Sequence, residues 1–209
     1  MSPREQLLED LANQGWAVSD GLIDAHLHQR LYDQCLQAWE HGQFKPAGVG
    51  HGRRLALHTE IRGDSICWIE PQLAELAALE FLQWADAFQH ELNRLFYTGL
   101  NNAEFHFARY PAGHCYRKHM DQHRDQLNRK ISLVLYLNRE WSEAGHGELC
   151  LYSSPDENRL VQRVLPMPGR LVVFRSDLIP HEVMPCSQPR WSLTGWFRSD
   201  AILGLPQAA

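Results

Sequence analysis

The chain has 209 residues and a formal net charge of −5 at pH 7, which gives no overall basic field for nucleic acid. No apolar run approaches the roughly 20 residues of a membrane span, and the N-terminus lacks the apolar core of a signal peptide. Five scattered cysteines without a C-x-x-C pair favour reduced thiols over a disulfide framework or a zinc cluster. We expect one cytoplasmic, monomeric domain spanning 1–209, with no nucleic-acid or membrane partner.

The N-terminus carries helix signals. Ser2 can cap a helix whose first position is Pro3, and Glu5 at the third position completes a capping box. Gly15 is a typical residue to end that helix. The three residues 16–18 that follow predict a short strand.

Two further helices are predicted before residue 98. Apolar residues recur every four positions over about 21–41, and a long apolar-rich helix follows Pro71. With the first helix they would form a helical buttress over 1–98. The segment 43–60 is glycine-rich, basic and without a period, so it is either a surface loop or a loop that folds over a substrate.

The C-terminal half contains short β-rich runs separated by turn residues. Alternating or β-branched patterns mark each run, and the turns contain glycine, proline or asparagine. Such spacing indicates a β-sandwich or β-barrel. The runs are 131–137, 145–152, 170–174, 181–183 and 190–198.

A candidate metal site lies within these runs. His119 and Asp121, followed by His181, supply two imidazoles and one carboxylate, the facial triad of non-haem Fe(II) oxygenases. The chain has 12 histidines, so an H-x-D pair also arises by chance, and His123 with Asp125 is a second such pair. The spacing alone leaves both pairs open.

Arg190 follows nine residues after His181 and suits a bidentate grip on a small carboxylate. Strand parity places Arg190, Thr194 and Trp196 on one face, and Tyr136 would reach the same cavity from a neighbouring strand. A buried arginine needs a partner, and no acidic residue shares its strand face. We therefore expect an Fe(II) enzyme with a dicarboxylate co-substrate such as 2-oxoglutarate.

The stretch 60–198 resembles a known family in eight ordered segments: Ile61–Glu70, Arg109–Gly113, Tyr116–Asp121, Leu135–Asn138, Gly147–Leu149, Phe174–Asp177, Pro180–Val183 and Arg190–Trp196. These segments are similar to the hypoxia-inducible-factor prolyl hydroxylases, the oxygen-sensing prolyl hydroxylases of animals. The pattern Tyr-x-x-His-x-Asp in that resemblance assigns the metal ligands to His119 and Asp121, and not to His123 and Asp125.

The resemblance implies a mainly β fold with flanking helices, namely a double-stranded β-helix (jelly-roll) core over 99–200 buttressed by the N-terminal helices. It implies Fe(II), 2-oxoglutarate and O2, with ascorbate as an additional cofactor. Tyr110 joins Arg190, Tyr136, Thr194 and Trp196 as a co-substrate residue.

At the peptide entrance, the resemblance places Arg62, Asp64 and Arg129. The alternative is that Arg62 and Asp64 are a surface ion pair and that Arg129 is a solvated strand end.

The implied activity is C4 hydroxylation of a prolyl residue in a protein. The short N-terminal region is similar to bacterial members of the family, which makes elongation factor Tu a candidate substrate. Two alternatives remain: a 2-oxoglutarate oxygenase acting on a small molecule, another side chain or a nucleobase, and a non-enzymatic metal-binding β-barrel sensor. The nucleobase branch is disfavoured because Trp196 stands where that branch carries a second arginine, and the sensor is disfavoured because it needs no carboxylate clamp.

Overall fold

A computed structural model describes residues 1–48, 60–122, 127–153 and 159–200. The first helix, α1, spans Pro3–Gln14 and has the predicted capping box. Ser2 Oγ accepts a hydrogen bond from the Glu5 amide, and the Glu5 carboxylate accepts one from the Ser2 amide. Gly15 ends the helix in the left-handed region, at φ 80°, which glycine adopts without steric cost.

The other two helices begin later than their apolar periods predict. Helix α2 spans Ala25–Glu40, because the Asp24 carboxylate caps the amides of His26 and Leu27. Helix α3 spans Leu76–Phe96, after a turn in which Leu73 is 78% exposed. Side-chain capping therefore decides the start of α2, whereas α3 begins at Leu76 without a side-chain cap. No helix in the described ranges is long and apolar enough to cross a membrane.

Eleven strands are described: β1 Trp16–Ser19, β2 Lys45–Pro46, β3 Ser65–Trp68, β4 Asn102–Tyr110, β5 Tyr116–His119, β6 Arg129–Tyr136, β7 Leu149–Tyr152, β8 Leu160–Val164, β9 Leu171–Arg175, β10 His181–Val183 and β11 Arg190–Arg198. Seven form a sheet in the order β1-β9-β6-β11-β4-β3-β2, and four form a second sheet in the order β5-β10-β7-β8. Neighbouring strands are antiparallel. The two sheets make the expected double-stranded β-helix.

The sequence patterns missed several strands. Polar and apolar residues alternate over 102–107 of β4, although the centre of the strand, 105–108, is buried on both faces. Strands β5 and β8 are short, and of their residues only Val164 is buried. The first 98 residues add β1, β2 and β3 to the large sheet, so this part of the chain extends the sheet as well as covering it.

Strand parity separates two cores. Leu133 and Leu135 on β6 pack with the helices against the outer face of the large sheet. Val134 and Tyr136 point the other way, into a second core between the sheets. The inner face of the large sheet therefore carries the residues that can reach an interior site.

Candidate metal and co-substrate site

The two predicted histidine ligands lie on adjacent strands. His119 ends β5 and His181 begins β10, and the two residues are direct partners in the antiparallel register. Asp121 follows β5 by two residues and brings its carboxylate within 3.6 Å of both Nε2 atoms. One potential ligand atom from each of the three residues lies within 4.8 Å of the others, a spacing that fits a single metal ion.

Backbone carbonyls orient both imidazoles. His119 Nδ1 lies 2.8 Å from the Arg117 carbonyl oxygen, and His181 Nδ1 lies 3.1 Å from that of Ile179. A carbonyl can only accept, so each Nδ1 carries the proton and each Nε2 presents its lone pair toward Asp121. The Tyr116 ring stacks on His119 with centroids 3.6 Å apart and limits rotation of that imidazole.

The charge state of the site suits a metal. Burial by itself would raise the pKa of Asp121, but the neighbouring His181 and His119 and a hydrogen bond from Ser132 hold it well below the ordinary value of 3.8. Burial lowers the pKa of His181 to about 4. An ionised carboxylate and a neutral imidazole are the forms that bind metals, so the donor set fits Fe(II).

Arg190 is buried in the interior without an acidic partner. Its side chain is among the largest of the fully buried ones, and the residue is 2% exposed. Its guanidinium makes a long 3.4 Å hydrogen bond to the Tyr136 hydroxyl and lies about 5 Å from the ring centroids of Tyr110 and Tyr136. Its Nε has no hydrogen-bond partner. In the described ranges no carboxylate forms an ion pair with Arg190, so the carboxylate of a bound molecule would supply the missing partner of its guanidinium.

The residues expected to hold the co-substrate separate into two groups along β11. Arg190, Tyr110 and Tyr136 form one cluster. Trp196 lies six residues further along the strand, roughly 20 Å at the usual rise per residue, so it cannot contact the same carboxylate. It packs instead against the Arg129 guanidinium, 3.5 Å from its ring centroid. Thr194 lies between the two groups and its hydroxyl is 3.3 Å from that of Ser192.

Arg62 and Asp64 form a buried pair, so the alternative of a surface ion pair is wrong. Two hydrogen bonds of 2.7 and 3.0 Å join them, and the Asp64 side chain is 1% exposed. The Arg62 guanidinium lies 4.9 Å from the Tyr116 ring centroid, beside the metal triad. Burial opposes the charge of Arg62, but the adjacent Asp64 carboxylate raises its pKa above the usual range.

Arg129 is not a solvated strand end either. Its guanidinium is fixed between the Trp196 ring and the Glu104 carboxylate, to which its Nε and one terminal nitrogen lie at 2.9 and 2.8 Å. Glu104 also accepts a hydrogen bond from Arg198 at 3.0 Å. Arg62 and Arg129 therefore both have an acidic partner.

The sequence patterns missed several residues around the site. They all lie on the inner face of the sheets or beside it. Most of them could have been recognised as polar or aromatic residues at strand positions that point inward. They are Trp68, Glu104, His106, Ser132 and Ser176. The competing pair His123 and Asp125, and residues 49–59 of the predicted loop 43–60, lie outside the described residues.

A double-stranded β-helix that carries a His-Asp-His triad and an unpaired interior arginine is the arrangement of a non-haem metal-dependent oxygenase. Comparison with known proteins gives the family. Residues 105–198 match the model of the 2OG-Fe(II) oxygenase superfamily. A crystal structure of a prolyl-4-hydroxylase from Pseudomonas putida is 37% identical, with a TM-score of 0.82 over 93% of this chain and 98% of the other.

A second solved structure has almost the same similarity of fold. It is a prolyl hydroxylase from Trichoplax adhaerens in complex with a hypoxia-inducible-factor peptide fragment, 27% identical, with a TM-score of 0.81 over 93% of this chain and 88% of the other. Among curated proteins, the hypoxia-inducible factor prolyl hydroxylase of Caenorhabditis elegans is 28% identical over 92% of this chain, and Egl nine homolog 1 of Rattus norvegicus is 26% identical over 92%. The chain spans 28% and 58% of the lengths of those two curated relatives.

The chain belongs to the 2OG-Fe(II) oxygenase superfamily and, within it, is a relative of the prolyl hydroxylases. Membership implies Fe(II), 2-oxoglutarate and O2 as metal and co-substrates. The described site has a ligand set for Fe(II) and an unpaired cation for 2-oxoglutarate.

Proposed function

We propose that this protein is an Fe(II)- and 2-oxoglutarate-dependent oxygenase that hydroxylates C4 of a prolyl residue in a protein substrate. The observation that carries the oxygenase part is Arg190, a buried cation without an acidic partner on the sheet face that also bears Tyr136. A metal-binding sensor would have no use for such a residue. The prolyl part is supported by the similarity to the Pseudomonas putida enzyme.

His119, Asp121 and His181 would hold the metal. When bound, Fe(II) with 2-oxoglutarate and O2 supplies oxidative chemistry that puts one oxygen atom into a C–H bond and the other into succinate, with release of CO2. Arg190 and the Tyr136 hydroxyl bind the far carboxylate of 2-oxoglutarate, and the Tyr110 ring lies alongside the guanidinium. This clamp fixes the co-substrate at one end, which limits the orientations of its other end.

The inner core excludes water from the reaction. Val134, Leu149 and Val183 are buried in the cluster that also contains Tyr136. Phe174 belongs to the same cluster and packs on the His181 ring with centroids 4.6 Å apart. This continuous apolar packing links the carboxylate clamp to the triad and protects a reactive oxidant from solvent.

The substrate side is the end of the barrel that carries the Arg62–Asp64 pair and the Arg129–Glu104 pair. We propose that these fixed arginines, with Trp196, position the peptide. Elongation factor Tu is a candidate substrate through the resemblance to bacterial members. A monomeric state, a cytoplasmic location and a use of ascorbate stay predictions of the sequence.

The test is a hydroxylation screen with purified protein, Fe(II), 2-oxoglutarate and an array of 15-residue peptides, each centred on proline. Mass spectrometry should find peptides that gain about 16 Da only when Fe(II) and 2-oxoglutarate are both present, with the added oxygen on proline. We call the peptide that reacts fastest the reporter peptide. His181→Ala is the inactive control. Succinate formation without any modified peptide would contradict the prolyl assignment and favour a small-molecule substrate, whereas no succinate formation at all would contradict the oxygenase.

A further inference from the structure

Unpaired buried nitrogens are concentrated on one face of two strands. In the described ranges, four buried side-chain polar atoms have no hydrogen-bond partner, namely His106 Nδ1, Arg109 Nε, Arg190 Nε and Trp196 Nε1. Arg109 faces the outer core, where its guanidinium stacks on Trp39 and Trp191. The other three share the inner face of β4 and β11. Native proteins rarely leave such groups unpaired, because each costs the full desolvation penalty.

The carboxylate clamp accounts for Arg190 but not for His106 and Trp196. His106 on β4 is the register partner of Thr194 on β11, so Trp196, two residues further on, is its diagonal neighbour on the same face. The two rings have centroids 5.5 Å apart. Their unpaired nitrogens therefore lie in one small region, at the end of the barrel away from Arg190.

One aromatic neighbour of this region is exposed at the protein surface. Trp68 on β3 is the register partner of His106 on its other side, and its ring meets the imidazole edge-on with centroids 4.9 Å apart. Trp68 is 46% exposed, whereas His106 is fully buried. A substrate that packed against Trp68 would therefore lie next to His106 and Trp196.

The chemistry of the two nitrogens selects the ligand atom. The Trp196 indole nitrogen can only donate, so its partner must be an acceptor. Burial, reinforced by the charge of Arg62, lowers the pKa of His106 to about 3, so the imidazole is neutral and has one N–H to place on Nδ1. Arg62 and Arg129 nearby are already neutralised by Asp64 and Glu104. Two neutral donors in a charge-balanced region fit an uncharged oxygen with two lone pairs.

We propose that His106 Nδ1 and Trp196 Nε1 jointly bind one carbonyl oxygen of the substrate peptide, at or next to the residue that is hydroxylated. This inference rests on the proposed function, because it assumes a peptide substrate. His106 is then a binding residue that lets the site recognise a peptide backbone.

The test compares His106→Phe and Trp196→Phe with wild type, using the reporter peptide. Each variant keeps an aromatic ring and removes one donor, and Trp84→Phe on α3 is the matched control. We expect the KM for the peptide to rise about 3- to 10-fold in each variant, the loss expected for one hydrogen bond. The rise in the KM for the peptide should exceed any change in the KM for 2-oxoglutarate or in peptide-independent succinate formation, and Trp84→Phe should change none of the three. His106→Asn, which keeps a buried N–H, should recover part of the peptide affinity.

A second measurement does not depend on turnover. In ¹⁵N-labelled, Zn(II)-substituted protein, NMR should show His106 protonated at Nδ1. Addition of N-acetyl-L-prolinamide, the smallest probe with a pyrrolidine ring and peptide carbonyls, should shift His106 Nδ1 and the Trp196 indole signal together.

The outcomes separate the two proposals. An unchanged peptide KM in both variants, or an equal loss of peptide-independent succinate formation, overturns the role of His106 and Trp196 while leaving prolyl hydroxylation in place. If wild type modifies no peptide, the proposed function fails, and the NMR titration decides the inference alone. No shift at either nitrogen then overturns it, and a joint shift supports it.

Discussion

Ser132 Oγ donates a 2.6 Å hydrogen bond to Asp121 Oδ2, and the two residues come from different elements of the fold. Ser176 lies 2.8 Å behind Ser132 and donates to its oxygen, because the Ser132 proton is directed at the carboxylate. This chain of hydroxyls holds the Asp121 carboxylate in one orientation between the two histidines. Hydrogen-bond partners of this kind fix the orientation of a metal ligand and tune the metal that it binds.

Removing the Ser132 hydroxyl should therefore weaken the metal site. We expect Ser132→Ala to lower Fe(II) affinity by about 10- to 100-fold, the range usual for loss of a partner that supports a metal ligand. Calorimetric titration of the metal-free protein would measure the change. Ser132→Thr keeps the hydroxyl and is the control. Equal affinity in wild type and Ser132→Ala would show that Asp121 needs no support from β6.

A second prediction concerns the two H-x-D pairs. His119→Ala should abolish Fe(II)-dependent succinate formation, because it removes an imidazole whose Nε2 points at Asp121. His123→Ala should retain most of the activity. An inactive His123 variant together with an active His119 variant would move the ligand assignment by four residues.

Arg190 should determine the affinity for 2-oxoglutarate. Arg190→Ala removes a desolvated charge-assisted pair worth roughly 2–5 kcal/mol, so the KM for 2-oxoglutarate should rise by tens- to thousands-fold. Arg190→Lys should recover only part, since an ammonium cannot make the planar two-point contact. Steady-state succinate assays on both variants test this. An unchanged KM in both would mean that another residue holds the far carboxylate.

His106 should make the stability of the fold depend on pH. The pKa of His106 is about 3 in the folded protein against 6.5 for an unburied histidine. Between these two pH values the unfolded chain binds a proton at His106 and the folded chain does not. The resulting stability is present in full above about pH 6.5 and is lost as the pH falls toward 3. Between pH 6.5 and 5 the loss should be about 2 kcal/mol.

Urea unfolding of the metal-free protein at pH 7.5 and 5.0 would measure that loss. His106→Phe should lose less stability than wild type over this interval, because it has no imidazole at this position that is protonated on unfolding. His181, with a pKa of about 4, contributes equally to both proteins and cancels in the comparison. His90→Ala changes a histidine whose side chain is 75% exposed, and serves as the control. Identical pH dependence in wild type and His106→Phe would contradict the buried neutral imidazole.

Features that depend on residues close together in the sequence were predictable from the sequence. The capping box of Ser2 and Glu5 spans four residues, and the parity of β6 and β11 follows from the alternation of side chains. Helix starts were less predictable. The apolar period of α2 begins before Asp24, so the period did not show that the Asp24 carboxylate caps the backbone and starts the helix at Ala25. Strand β4 was missed although polar and apolar residues alternate over 102–107, and only the tertiary structure shows that its centre is buried on both faces.

The sequence by itself determined the identity of the chemistry: His119, Asp121, His181 and Arg190 occur at a spacing and in a context that indicate an Fe(II) and 2-oxoglutarate site. Tertiary structure decided which groups support that chemistry. The Ser132–Asp121 bond, the burial of the Arg62–Asp64 pair and the unpaired nitrogens of His106 and Trp196 all depend on which strands are neighbours. Strand order joins residues far apart in the chain, and no local pattern encodes it, because it is selected by burial of both sheets together.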